Sequence, residues 1–229
     1  MDLVNNIVAE CTNPYSPRIR FQWNCLSLAR GEVLNVGSCD DPAGFRQRVI
    51  HFDYDDWSEF FLIEDCAFVQ GDAHLLDEIF APKRFDLVIL GDILEHVSDP
   101  EKVIRAACRV SNAVCMTVWE EWRNPERGCW IDETRNRMEQ EVLDAGLDPG
   151  KFSYEDMYEQ QHPLVKVNRG QPHLCHIWQF TMEDAKKWLD VFTQEGFSDP
   201  YAVRVLEVIH EGHEAYNYLI YASRNSIQG

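Results

Sequence analysis

Short apolar runs of strand length alternate with amphipathic stretches along most of this chain, and several of the runs end on Gly or Asp. The spacing predicts a helix over Ile19 to Ala29, stopped by Gly31. Glu32-Val33-Leu34-Asn35-Val36 follows as a buried strand ending at Gly37, and Arg48 to Asp53 as a second strand ending in an acid. Cys66 to Gln70 reads as a short third strand before Gly71-Asp72-Ala73, and Phe85 to Leu90 as a fourth before Gly91-Asp92. Asp99 caps a helix running to about Val110, with Pro100 suited to its first turn. Ala113 to Trp119 is a fifth strand. Thr181-Met182-Glu183-Asp184 opens another helix with a capping-box-like sequence, and Gly196-Phe197 ends it. Ala202 to Ile209 and Tyr216 to Ala222 then close as an antiparallel pair.

Strands and helices in alternation predict an α/β fold, a mostly parallel sheet with helices on both faces. At 229 residues the chain suits one core, so residues 1–229 are read as a single domain. Glu120 to Trp178 is longer than an ordinary connection and rich in Trp, Tyr, Glu, Arg and His. It is expected to be an insertion that forms a lid or a substrate-binding element.

Charge narrows the partners. Lys and Arg number 21 against 39 Asp and Glu, a formal net charge of -18, which argues against general nucleic-acid binding. Arg18, Arg20, Arg46 and Arg48 are the one candidate basic group and are read as solvated surface. No secretory signal and no apolar run of membrane-spanning length is visible. The eight cysteines are scattered without a Cys-x-x-Cys pair. Together these features predict a reduced, cytoplasmic protein with a small-molecule substrate and no membrane contact. They leave the oligomeric state open.

Candidate chemistry sits where strands end. Glycine at Gly37 lets backbone approach a ligand, although turn chemistry alone could place it there. Neither Gly-x-Gly-x-x-Gly nor Gly-Lys-Ser/Thr occurs, and Asp40 and Asp41 would repel phosphate but not a cation. Asp53 could accept from ribose hydroxyls or be one surface acid among Asp55 and Asp56. Asp72 could meet an adenine amino group or cap a helix at Ala73-His74-Leu75. In a doubly wound sheet the loops at Gly37, Asp53, Asp72 and Gly91-Asp92 converge on one crevice.

The ordered series Val33-Leu34-Asn35-Val36-Gly37-Ser38, Asp53, Gly71-Asp72-Ala73 and Asp86 to Leu90 through Leu94-Glu95-His96-Val97 resembles the class I S-adenosylmethionine-dependent methyltransferases of small-molecule type. His176 to Thr181, leading to Glu195-Gly196-Phe197, looks like the last helix and turn of that family. The resemblance implies a Rossmann-like seven-stranded sheet and S-adenosylmethionine as cofactor. It implies a cofactor site of Asn35, Gly37, Ser38, Asp53, Tyr54, Asp72, Ala73, Gly91, Asp92 and His96. The first motif is degenerate: Asn35 stands where the family usually has an acid, Cys39 and Asp41 where it has glycines. Ser111-Asn112-Ala113 likewise lacks the usual glycine before the fifth strand.

Methyl transfer is an in-line displacement, governed by positioning, and a base helps only when the acceptor must lose a proton. The expected reaction is transfer to an oxygen or nitrogen of a small molecule. Acceptor-side catalytic groups are expected at Glu120, His173 and His176, with Glu121 and His162 nearby in sequence. His173 and His176, with Cys175 and Glu120, do not have a spacing that defines a metal site, so no metal is expected. Trp119, Trp122, Trp130 and Trp178 line a substrate pocket or pack core and lid. The alternative is a catalytically silent Rossmann-like domain that binds a ligand or serves as a partner subunit.

Overall fold

A computed structural model describes residues 17–38, 49–58, 66–120, 123–124, 128–129, 180–209 and 213–224. The strands are β1 Val33–Val36, β2 Val49–Asp53, β3 Ala67–Gln70, β4 Leu87–Gly91, β5 Ala113–Glu120, the short pair β6 Arg123–Asn124 and β7 Gly128–Cys129, β8 Ser198–Ile209 and β9 His213–Ser223. The helices are α1 Pro17–Leu28, α2 Leu76–Ile79, α3 Pro100–Val110 and α4 Met182–Gln194.

Seven strands form one sheet in the order β3-β2-β1-β4-β5-β9-β8. The first five pair in parallel, and β9 joins antiparallel to both β5 and β8. Chain order runs outward in one direction from β1 and in the other from β4. That reversal opens a crevice between the carboxyl ends of β1 and β4, the usual place for a ligand in an open α/β sheet.

Strands buried on both faces read as continuous apolar runs, and their alternate residues feed two cores. Leu34, Val36, Phe52, Val88, Leu90, Val114 and Met116 pack on one face with α3 and α4. Val33, Val49, Leu87, Ile89, Ala113 and Cys115 pack on the other with Phe21 and Cys25 of α1. Buried positions Pro17, Phe21 and Cys25 recur every four residues, so α1 presents one narrow stripe to the sheet. Burying a side chain such as Phe21 contributes roughly 1.5–3 kcal/mol.

Boundaries differ from the sequence expectation where a side chain or a proline intervenes. Helix α1 begins at Pro17, two residues before Ile19, because proline is tolerated in a first turn. β4 begins at Leu87; Phe85 makes only an isolated bridge to Ser111. The intervening Asp86 accepts from the backbone N–H groups of Arg30 at 2.5 Å and Gly31 at 3.0 Å, fixing the approach to β1. β8 starts at Ser198 rather than Ala202, with a register irregularity between Ser198 and Tyr201 that contains Pro200.

The caps match their sequence signals. Asp99 Oδ1 accepts from Lys102 N at 2.9 Å at the start of α3. Thr181 and Asp184 form a reciprocal box at the start of α4: Thr181 N donates to Asp184 Oδ2 at 3.0 Å, and Asp184 N to Thr181 Oγ1 at 3.4 Å. Residues 123–124 and 128–129 contribute the short β6–β7 pairing within the stretch expected to be an insertion.

Candidate functional site

The site is built at the carboxyl edge of the parallel strands. After β1 the chain turns at Gly37, whose φ of 74° lies in the left-handed region. A Cβ there would stand 3.0 Å from the Cβ of Ile93, in the loop after β4. Glycine at this position therefore lets the two loops flanking the crevice close on each other. Gly37 N donates to Phe52 O at 2.9 Å, which ties the turn to β2. Ser38 is buried at 4% exposure, and its hydroxyl has no hydrogen-bond partner among the described residues. A buried hydroxyl left unsatisfied at the mouth of β1 is where a polar ligand group fits.

Asn35 lies one turn of the pleat below. Its amide Nδ2 is 3.5 Å from His51 Nδ1, its register neighbour on β2, and both residues are buried. The position that usually holds an acid in the resembled family is thus engaged within the sheet.

Asp53 ends β2 and is 9% exposed. Its Oδ1 accepts from Asp55 N at 3.0 Å, and its carbonyl accepts from Gly71 N at 2.9 Å. Tyr54 is exposed at the rim, and its carbonyl accepts from Gln70 Nε2 at 3.1 Å. Asp72 caps the 3-10 turn Ala73–Leu75, where Ala73 packs into the larger core. These contacts set the ends of β2 and β3 side by side, with Asp53 opposite Gln70 in register.

Gly91 and Asp92 follow β4. A Cβ on Gly91 would stand 2.8 Å from Gln22 Nε2, so this glycine permits α1 to lie against the strand end. Gln22 Nε2 donates to Thr117 Oγ1 at 2.8 Å, and Thr117 Oγ1 donates to Asp92 Oδ1 at 3.2 Å. Asp92 adopts a φ of 52° and pairs with Arg18. Its backbone N–H donates to Thr117 O at 3.0 Å. The Arg18 side chain is only 15% exposed, which corrects the expectation that it belongs to a solvated basic surface. An acid beside it at the crevice draws the guanidinium inward, and α1 supplies both Arg18 and Gln22 one turn apart. That i, i+4 polar pair on a helix otherwise anchored by Phe21 and Cys25 is the sequence signal that went unread.

His96 closes a 3-10 turn, Leu94–His96, and its backbone N–H donates to Ile93 O at 2.9 Å. Glu95 in the same turn is buried at 1% exposure. Glu120 is the last residue of β5, opposite Tyr216, and not just beyond the strand. The side chain of Glu120 and all of His173 and His176 lie outside the described residues, as do Glu121, His162, Cys175, Trp122, Trp130, Trp178, Asp40, Asp41, Arg46 and Arg48. Among the described residues no three His, Cys, Asp or Glu side chains cluster as a metal site.

A family model described as a methyltransferase domain matches residues 57–161. Among solved structures, the chain is similar to a SAM-dependent methyltransferase, possible histamine N-methyltransferase, of Thermotoga maritima. That match has a TM-score of 0.52 and 14% identity, covering 90% of this chain and 87% of that one. It is also similar to the YcgJ protein of Bacillus subtilis, with a TM-score of 0.50 and 14% identity over 91% of this chain and 99% of that one. A third likeness is to phosphoethanolamine N-methyltransferase 2 of Haemonchus contortus, in complex with phosphomonomethylethanolamine and S-adenosylhomocysteine. Its TM-score is 0.55 at 11% identity, over 91% of this chain and 52% of that one. At such identities the likeness is one of fold. No curated protein matches the chain in sequence.

The sheet order and these likenesses show the Rossmann-like fold of the class I methyltransferases, and the methyltransferase domain model lies within it. The residues fit S-adenosylmethionine: a side-chain-free turn at Gly37, an unsatisfied buried hydroxyl at Ser38, and carboxylates at successive strand ends suit a ligand that carries hydroxyl, amino and positively charged groups.

Proposed function

We propose that this protein methylates an oxygen or a nitrogen of a small molecule, in the reducing environment of the cytoplasm. The observation that supports this reading is the polar edge itself: Ser38, Asp53, Asp72 and Asp92 stand at or just after the carboxyl ends of β1, β2, β3 and β4, which adjoin in the sheet. Gly37 and Ser38, with Asn35 behind them, would hold the amino-acid end of S-adenosylmethionine. Asp53 and Tyr54 would hold the ribose, and Asp72 with Ala73 the adenine. Bound there, S-adenosylmethionine supplies an electrophilic methyl group on a positively charged sulfur.

Gly91, Asp92 and His96 then stand on the methyl side, with Arg18 and Thr117 orienting the Asp92 carboxylate. Acidic groups around the crevice favour a cation, and the net charge of -18 disfavours a polyanionic acceptor. Glu120, His173 and His176 act on the acceptor side, as the base for an acceptor that must lose a proton. Of the similar solved structures, one is named a phosphoethanolamine N-methyltransferase and another a possible histamine N-methyltransferase, both names of transfer to nitrogen. The free thiols of Cys25, Cys108 and Cys115 suit a reducing compartment.

The test is transfer of a labelled methyl group from S-adenosylmethionine to separate panels of amines, alcohols and phenols, nucleic acids and proteins. Label in a small amine or hydroxyl compound is expected. Label confined to carbon, arsenic or a macromolecule would overturn the acceptor class. Absence of binding of the cofactor at millimolar concentration would overturn the nucleoside site as well.

A further inference from the structure

His74, in the turn after β3, uses both of its ring nitrogens. Nδ1 lies 2.6 Å from Asp72 Oδ1. Nε2 lies 3.2 Å from the backbone N of Asp99 and 3.3 Å from Ser98 Oγ. A backbone N–H can only donate, so Nε2 is the acceptor, and the neutral ring carries its proton on Nδ1 and donates it to Asp72. Nε2 is shared between the Asp99 N–H and the Ser98 hydroxyl, so the order Asp72, His74, Ser98 is not read as a nucleophile relay. The ring instead clamps two loops. Asp99 caps α3, so the imidazole ties the end of β3 to the entry of the helix that follows β4.

The clamp acts on one carboxylate oxygen. Asp72 Oδ1 accepts from both the backbone N–H of His74 at 2.9 Å and the ring Nδ1–H. Asp72 Oδ2 takes no hydrogen bond among the described residues, on a side chain 41% exposed. With its partner oxygen held twice, the plane of the carboxylate is fixed without help from a ligand.

We propose that His74 is a positioning residue of the nucleoside site: it clamps Asp72 Oδ1 between two strand-end loops and leaves Oδ2 preset to accept from the exocyclic amino group of a purine. It thereby sets the selectivity for adenine over a base with oxygen at that position. The inference rests on the reading of this edge as the cofactor site.

Calorimetric affinities for S-adenosylhomocysteine and S-inosylhomocysteine test it, because the second ligand replaces the amino donor with a carbonyl acceptor. Wild type is expected to prefer the adenosyl ligand by about tenfold or more, the scale of one charged hydrogen bond. His74→Ala should lower that preference several-fold while the inosyl affinity changes little, and His74→Asn, which can still donate to Asp72, should restore part of it. Asp72→Asn turns the acceptor into a donor and should bring the two ligands to near parity or invert the preference. Equal loss of both affinities in His74→Ala, with the ratio unchanged, would reduce His74 to a fold-stabilising residue and overturn the proposal. Should His74→Ala fail to fold, an unchanged ratio in Asp72→Asn overturns it equally. Wild type that binds neither ligand defeats the nucleoside site itself, a result distinct from an unmoved ratio.

Discussion

Asp53 carries the heaviest consequence of any single residue at this edge. Its side chain is almost wholly buried at the end of β2, with one oxygen held by the N–H of Asp55. A buried carboxylate has a strong demand for donors, which ribose hydroxyls satisfy. Asp53→Ala is expected to weaken binding of S-adenosylhomocysteine by about 1–3 kcal/mol, roughly 5- to 150-fold. Unchanged affinity by titration calorimetry would place the ribose elsewhere. Asn35 shows the opposite case, a residue that sits at a motif position yet points its amide to His51. The identity of Asn35 was legible in the sequence, but its partner on the neighbouring strand was not. Arg18 is a third case: the sequence groups it with Arg20, Arg46 and Arg48 as solvated surface, and only the fold brought it to Asp92.

At the scale of elements, local signals governed where helices begin. Proline at the first position and Asp99 at the cap start α3, and the Thr181–Asp184 box starts α4. Burial alone would raise the Asp184 carboxyl, but hydrogen bonds from Thr181 and Lys187 hold it below its ordinary value of 3.8. A carboxyl lowered on folding stabilises the fold above its unfolded pKa and loses that contribution as pH falls through the folded one. Asp184→Asn should therefore cost about 1 kcal/mol near neutral pH, the scale of a cap. That difference should shrink as pH is taken below 3.8. Denaturant unfolding of both proteins across this range measures it; a difference that grows toward acid would contradict the box. Helix α1 shows where local signals stop. Its stripe of Pro17, Phe21 and Cys25 predicts that it packs, while Gly91 and Gln22 decide how closely it meets β4.

Across the whole molecule, the two cores insulate the described thiols to different degrees. Cys25, Cys108 and Cys115 are buried and Cys66 is half-exposed. Burial pushes the thiols of Cys108 and Cys115 far above the ordinary range, so neither supplies a thiolate in the native state. Brief alkylation of the folded protein should therefore mark Cys66 first among these four, with Cys25, Cys108 and Cys115 reacting only on unfolding. Peptide mass spectrometry reads the order, and native labelling of Cys108 as fast as that of Cys66 would refute the packing of α3. From the sequence alone follow the alternation of strands and helices, their caps, and the Gly37, Asp53, Asp72 and Gly91-Asp92 strand ends, because period, turn chemistry and capping act over a few residues. The strand order, the inward turn of Arg18, the Asn35–His51 contact and the His74 clamp were decided by tertiary structure alone. Each joins residues far apart in the chain or on different strands, and only the closed sheet brings them within hydrogen-bonding distance.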